Sequence, residues 1–184
     1  MRSLTDCPAT TLVWRRARGS IGFELGAEDG TYASLDFLDE SRLLARAETA
    51  EGTWTFKHRG LLTPTVTLRE EGASENLATF HTHPLRHGTL EFTDGASFDW
   101  IWNHPDGAGG VFTDARGGAL VRLNPHPGMG HRPHPDPEGC DVLVSLPPMA
   151  RYRHALLASL GWYLVLFDHL KARDDASADT ALRL

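Results

Sequence analysis

MARYRHALLASLGWYLVLFDHL, residues Met149 to Leu170, is the one long apolar stretch of the chain, and its reading decides the fold. From Ala155 to Phe167 it runs 13 residues without a charge. At 3.6 residues per turn, Leu156, Leu157, Leu160, Trp162, Leu164, Val165, Leu166 and Phe167 point to every side of a helix. A helix that is apolar all round has to be surrounded, by a bilayer or by the rest of its own protein. Length chooses between the two. Crossing hydrocarbon takes roughly 20 residues, and this run is closed off by Arg151, Arg153 and His154 on one side and by Asp168, His169 and Lys171 on the other.

The stretch therefore reads as the buried centre of a domain, a helix over about residues 148–172. Pro147 and Pro148 suit its opening, where no backbone donor is needed, and Lys171 and Arg173 suit its negative end. Ala155, Ala158, Ser159 and Gly161 let neighbouring backbone approach closely. An ordinary core helix beneath a sheet is the plainer alternative.

Everything upstream reads as short strands between turn signals. They are expected at Leu12 to Arg16, Ser20 to Leu25 (Ile21, Phe23 and Leu25 on one face), Thr31 to Leu38 (Ala33, Leu35 and Phe37 buried) and Arg42 to Thr49. The last of these has helix-forming composition, but its neighbours are strands and it alternates, so strand is preferred. Thr53 to Arg59 puts Trp54, Phe56 and His58 on one face, and Pro64 to Glu70 turns Val66 and Leu68 inward. Asn76 to Thr82 follows. Gly88 to Thr93 and Ala96 to Asn103 flank Asp94-Gly95, the strongest hairpin signal in the chain, with Leu90, Phe92, Phe98, Trp100 and Trp102 on a shared face. Gly110 to Asp114, Gly118 to Asn124 and Cys140 to Leu146 complete the set, the last after a loop rich in proline and glycine from Asn124 to Gly139.

About a dozen short strands imply a sandwich or a barrel. A closed barrel of that size has a lumen too wide for its own side chains to fill. The apolar helix is what fills it. The expectation is thus mainly β: a closed antiparallel barrel of about 12 strands around a buried hydrophobic C-terminal helix. Residues 1–174 form one domain and 175–184 a flexible tail.

A chain of 184 residues is long enough for one such core. Its net charge of −6 repels phosphate backbones, which argues against nucleic acid as a partner. Lysine is confined to Lys57 and Lys171, a bias that base composition of the genome alone can produce. The two cysteines, Cys7 and Cys140, form no Cys-x-x-Cys pair, and nothing in their spacing prompts a bridge. The first residues, MRSLTDCPATTLVW, lack the apolar core of a signal peptide, so the cytoplasm and reduced thiols are expected.

Four segments carry a family resemblance: AETAEGTWTFKHRG at 47–60, PTVTLRE at 64–70, GTLEFTDGASFDWIW at 88–102 and GWYLVLF at 161–167. Together with the strand-then-helix order they resemble the tubby C-terminal-like superfamily, which includes tubby proteins, phospholipid scramblases and the plant LURP-one-related proteins, and they look most like its uncharacterised bacterial branch. The resemblance implies a 12-stranded barrel threaded by a hydrophobic C-terminal helix. Its motifs are architectural, and none is catalytic. Tubby proteins bind phosphoinositide head groups through lysines and arginines on the barrel wall, and no residue of this chain is assigned to those positions. Scramblases carry a calcium-binding segment and palmitoylated cysteines. This chain has neither the acidic calcium loop nor a cysteine cluster, so that activity is not carried over.

The chemistry-bearing residues fall into several groups. His126, His131 and His134, with Asp136, Glu138, Cys140 and Asp141, form the richest set of metal-ligand types, in the loop 124–141. They have no fixed spacing, and proline restricts their convergence. His81 and His83 share a strand face, with His87 and His104 nearby in sequence, which is a polar rim as readily as the start of a metal site. Ser97, Ser145 and Ser159 have no nucleophile elbow or base beside them. Cys140 reads as a small apolar residue. Asp94, Asp99, Asp106 and Asp114 fall at turns and outward positions. Trp54, Trp100, Trp102 and Trp162 read as core. No catalytic residue, cofactor or metal ligand is assigned. The expected role is a non-enzymatic module that binds a membrane phospholipid surface or a protein partner, and the alternative is a metal-dependent protein or enzyme using the histidine-rich loop.

Overall fold

In a computed structural model the chain forms a closed antiparallel barrel. The structure describes residues 1–4, 7, 11–17, 21–60, 64–84, 87–102, 109–126, 139–145 and 153–181, with side chains described as far as 171 in the helix. In chain order the strands are β1 (Thr11–Arg16), β2 (Phe23–Ala27), β3 (Gly30–Phe37), β4 (Leu44–Thr49), β5 (Gly52–Arg59) and β6 (Thr65–Glu70). They continue with β7 (Ala78–His83), β8 (His87–Phe92), β9 (Ser97–Trp102), β10 (Gly110–Thr113), β11 (Ala119–Pro125) and β12 (Gly139–Val144), before the helix α1 (His154–Ala181). Each strand pairs with its neighbours in sequence, and β1 pairs with β12 from Thr11↔Leu143 to Arg15↔Gly139. That last pairing leaves no free sheet edge to recruit another chain.

Alternation places the side chains. Along β5, Trp54 and Phe56 are buried while Lys57 and Arg59 are exposed, and along β6 Val66 and Leu68 are buried between less buried Thr65, Thr67 and Arg69. The segment that could have been a helix by composition is strand β4, with Ala45 and Ala47 inward. One inward assignment does not hold: Ile21 is exposed, because β2 starts only at Phe23. Gly22, just before it, has no space for a side chain, since a Cβ there would lie 2.0 Å from Asp36 Oδ1.

Inside the barrel runs α1. Every residue from 153 to 166 is buried, which no one-sided packing could achieve. Trp162 stacks on Trp14 of β1 with centroids 6.3 Å apart and meets the edge of Phe23 of β2 at 5.3 Å. Tyr163 packs on Phe37 and Phe56, and the Tyr163 hydroxyl donates toward the carbonyls of Arg42 and Leu43, at 3.3 and 3.2 Å. On another side, Gly161 brings the helix against Trp100, Phe112 and Leu123. Strands β1, β2, β3, β5, β9, β10 and β11 therefore all touch one rod.

The helix α1 is described from His154. Pro147 and Pro148 lie outside the described residues. At the other end the helix continues to Ala181, through residues 175–181 that were expected as a tail. The continuation contains neither glycine nor proline to stop it. Lys171 and Arg173 consequently sit well before the last turn, which has no basic residue. At about 1.5 Å per residue the buried part spans roughly 20 Å, and exposure rises from Phe167 to Lys171. Among the described residues no helix is long and apolar enough to cross a membrane.

Candidate ligand-binding site

One end of the barrel, where the C-terminal part of α1 leaves the lumen, combines an internal cavity with a basic patch outside it. The cavity is about 670 Å³ and lies between the helix and the ends of β5, β6, β7 and β9. Val66, Trp102, Leu164 and Phe167 give it apolar walls, while Arg59, Thr82, Asp168 and Lys171 stand among its lining residues. Such a volume falls within the roughly 300–1,000 Å³ usual for small-molecule sites. His58 stacks on Phe167, centroids 4.2 Å apart. Its pKa is lowered, first by burial and then by the charge of Lys171, so the imidazole is held neutral at pH 7.

The patch follows from strand register. Outward positions of β5 and β6 are directly paired, Lys57 with Thr67, Arg59 with Thr65 and Thr55 with Arg69. Lys57, Arg59 and Arg69, together with Thr55 and Thr67, thereby line a small polar concavity of about 180 Å³. Arg69 Nε donates to Asn76 Oδ1 at 2.8 Å, a neutral partner that orients the guanidinium without cancelling its charge. Neighbouring Arg46 is different, since Glu48 and Glu71 neutralise it at 3.0 Å each. Among the described residues neither Lys57 nor Arg59 meets a carboxylate. Arg59 lines both the patch and the cavity.

The residues singled out by sequence are dispersed. Of the loop set, His126 and Asp141 come together, with Nε2 2.9 Å from Oδ1 across β11 and β12. His131, His134, Asp136 and Glu138 lie outside the described residues. Cys140 points inward, fully buried, and burial pushes its thiol pKa well up, as suits a small core residue. Cys7 and Cys140 are not joined by a disulfide. At the rim His83 and His87 face one another across β7 and β8 with centroids 4.8 Å apart, whereas His81 turns to Glu91 at 4.0 Å. His104 lies outside the described residues, and among those described no three metal-ligand side chains gather.

The hydroxyl and carboxyl candidates are separated in the same way. Ser159 donates to the Ala155 carbonyl at 2.8 Å, while Ser97 and Ser145 are on the surface. Asp94 accepts from Arg153 and from the Ala96 amide, Asp99 from Thr89, and Asp114 from the amides of its own turn. Asp106 lies outside the described residues. Trp54, Trp100 and Trp162 are buried in the core as expected, and Trp102 is half-buried at the cavity. Sequence reasoning passed over the Lys57, Arg59 and Arg69 grouping. Alternation in β5 and β6 already puts the three on outward faces, but only register shows that they meet.

The chain matches no family model, no curated protein and no solved structure. Residues and geometry therefore carry the functional argument.

Proposed function

We propose that this chain is a cytoplasmic, non-enzymatic, tubby-like barrel that associates peripherally with anionic lipid through the outer wall of β5 and β6. The observation that carries the reading is the meeting of Lys57, Arg59 and Arg69 in one polar concavity of a protein whose net charge is −6. An acidic molecule gains nothing from a bilayer as a whole, so attraction has to be local and oriented. Each basic side chain near an anionic surface contributes about 1 kcal/mol, and three acting together are worth about a hundredfold in affinity. The hydroxyl of Thr55 adds an uncharged donor for phosphate oxygens, whereas that of Thr67 donates to the Lys57 carbonyl.

Flotation with phosphatidylcholine vesicles, with and without phosphatidylserine, tests this. Recovery with the anionic vesicles alone, falling as salt rises and lost in the double variant Lys57→Glu, Arg69→Glu, is the expected result. Recovery that ignores vesicle charge, or that survives the double variant, overturns the reading and leaves a protein partner as the remaining role for this wall.

A further inference from the structure

We propose that the cavity at this end of the barrel takes the apolar tail of a single-chain anionic amphiphile, with the anionic head held at the mouth by Arg59 and Lys171. The inference deepens the lipid reading above and takes the class of ligand from it. Most of the lining is hydrocarbon and aromatic surface, with Val66 and Leu164 buried and Trp102 and Phe167 partly exposed. A wall of that kind rejects a polar guest and gains from an alkyl chain.

Charge at the mouth decides the head group. Arg59 and Lys171 come from different elements, the end of β5 and the emerging helix, and converge on one opening. Neither pairs with a carboxylate among the described residues. Asp168 is the opposing charge at the same opening, and His58 is neutral, so the described lining residues carry a net positive charge on an acidic protein. A cationic head would meet two like charges there. The cavity lies between helix and wall and is not a flat face, which suits one chain entering end-on better than a folded partner.

Calorimetric titration with laurate, and with dodecyltrimethylammonium as the cation of equal chain length, both below their micelle concentrations, tests the proposal on the full chain. Saturable binding of one laurate is expected, with the cation at least tenfold weaker. Thr82 is exposed at the mouth, so Thr82→Trp obstructs entry without touching the core and should weaken laurate binding at least tenfold while the melting temperature stays near wild type. Lys171→Glu, also at an exposed position, should weaken laurate about tenfold and strengthen the cation. No saturable laurate binding, equal affinity for the two head groups, or indifference to Thr82→Trp overturns the proposal. Laurate binding without flotation would remove the membrane role alone, and flotation without laurate binding would remove the cavity's occupant alone.

Discussion

Trp100 shows how closely this interior is fitted, because two glycines from different elements make room for it. A Cβ on Gly110 would lie 2.3 Å from Trp100 Cζ2, and one on Gly161 would lie 3.2 Å from Cζ3 and 2.7 Å from Leu123 Cδ1. The indole is fully buried and has no direction in which to retreat. At Gly161 two effects compete. Alanine gains about 1 kcal/mol of helix propensity over glycine, and the Leu123 methyl can rotate away, so Gly161→Ala should change stability by less than about 1 kcal/mol. Leucine adds a branch that nothing can accommodate, and overpacking costs about 1–3 kcal/mol. Urea unfolding midpoints should rank wild type and Gly161→Ala together, with Gly161→Leu clearly lower; a leucine variant as stable as wild type would show that the lumen has slack. Gly161 was legible as a site of close approach, although side chains and not backbone come near it. Gly110 was not, since a glycine opening a strand looks like any turn glycine until Trp100 is seen beside it.

At the scale of elements, the helix is tied to the hairpin it leaves the strands to reach. Arg153, immediately before α1, hydrogen-bonds Asp94 in the β8–β9 turn and lies over the ring of Phe92, 3.9 Å from its centroid. The Asp94-Gly95 pair was readable as a turn, and Gly95 does adopt a φ of +89°. That Asp94 also receives a guanidinium 59 residues away was not readable, because ion pairing leaves no periodic trace. The Asp94 carboxyl is held below its ordinary pKa, first by the Ala96 amide and next by Arg153. A depressed carboxylate contributes stability that is present above its unfolded pKa, near 3.8, and is lost as pH falls through the folded value. Asp94→Asn keeps an oxygen for the Ala96 amide and loses the charge facing Arg153. Its melting temperature should therefore fall below wild type by a constant amount from about pH 7 to pH 5, and the gap should close below about pH 4. A gap that persists in acid would assign the loss to packing instead of charge.

For the molecule as a whole, the barrel was legible through its contents. Alternation reveals strands, but closure depends on β1 meeting β12, at opposite ends of the strand region, and no local pattern encodes that pairing. The length and all-round apolarity of the helix supplied the missing constraint, since only an enclosing wall can bury it. If that is the logic of the fold, the wall needs the helix as much as the helix needs the wall. Eight large side chains of α1, Leu156, Leu157, Leu160, Trp162, Tyr163, Leu164, Val165 and Leu166, are buried. At roughly 1.5–3 kcal/mol each their burial matches or exceeds the about 5–15 kcal/mol by which whole domains are stable. Without them the inner faces of Trp14, Phe56, Trp100 and Phe112 would line a void too wide to collapse without breaking strand register. A chain ending at Ser145 should accordingly show no cooperative thermal transition and should bind a hydrophobic dye. A chain ending at Lys171 keeps every helix position described as buried and should melt cooperatively. Cooperative melting of the shorter chain would mean that the strands close on their own and that the helix is a guest in the barrel, and unfolding of the longer one would move the anchoring interaction to the turns beyond.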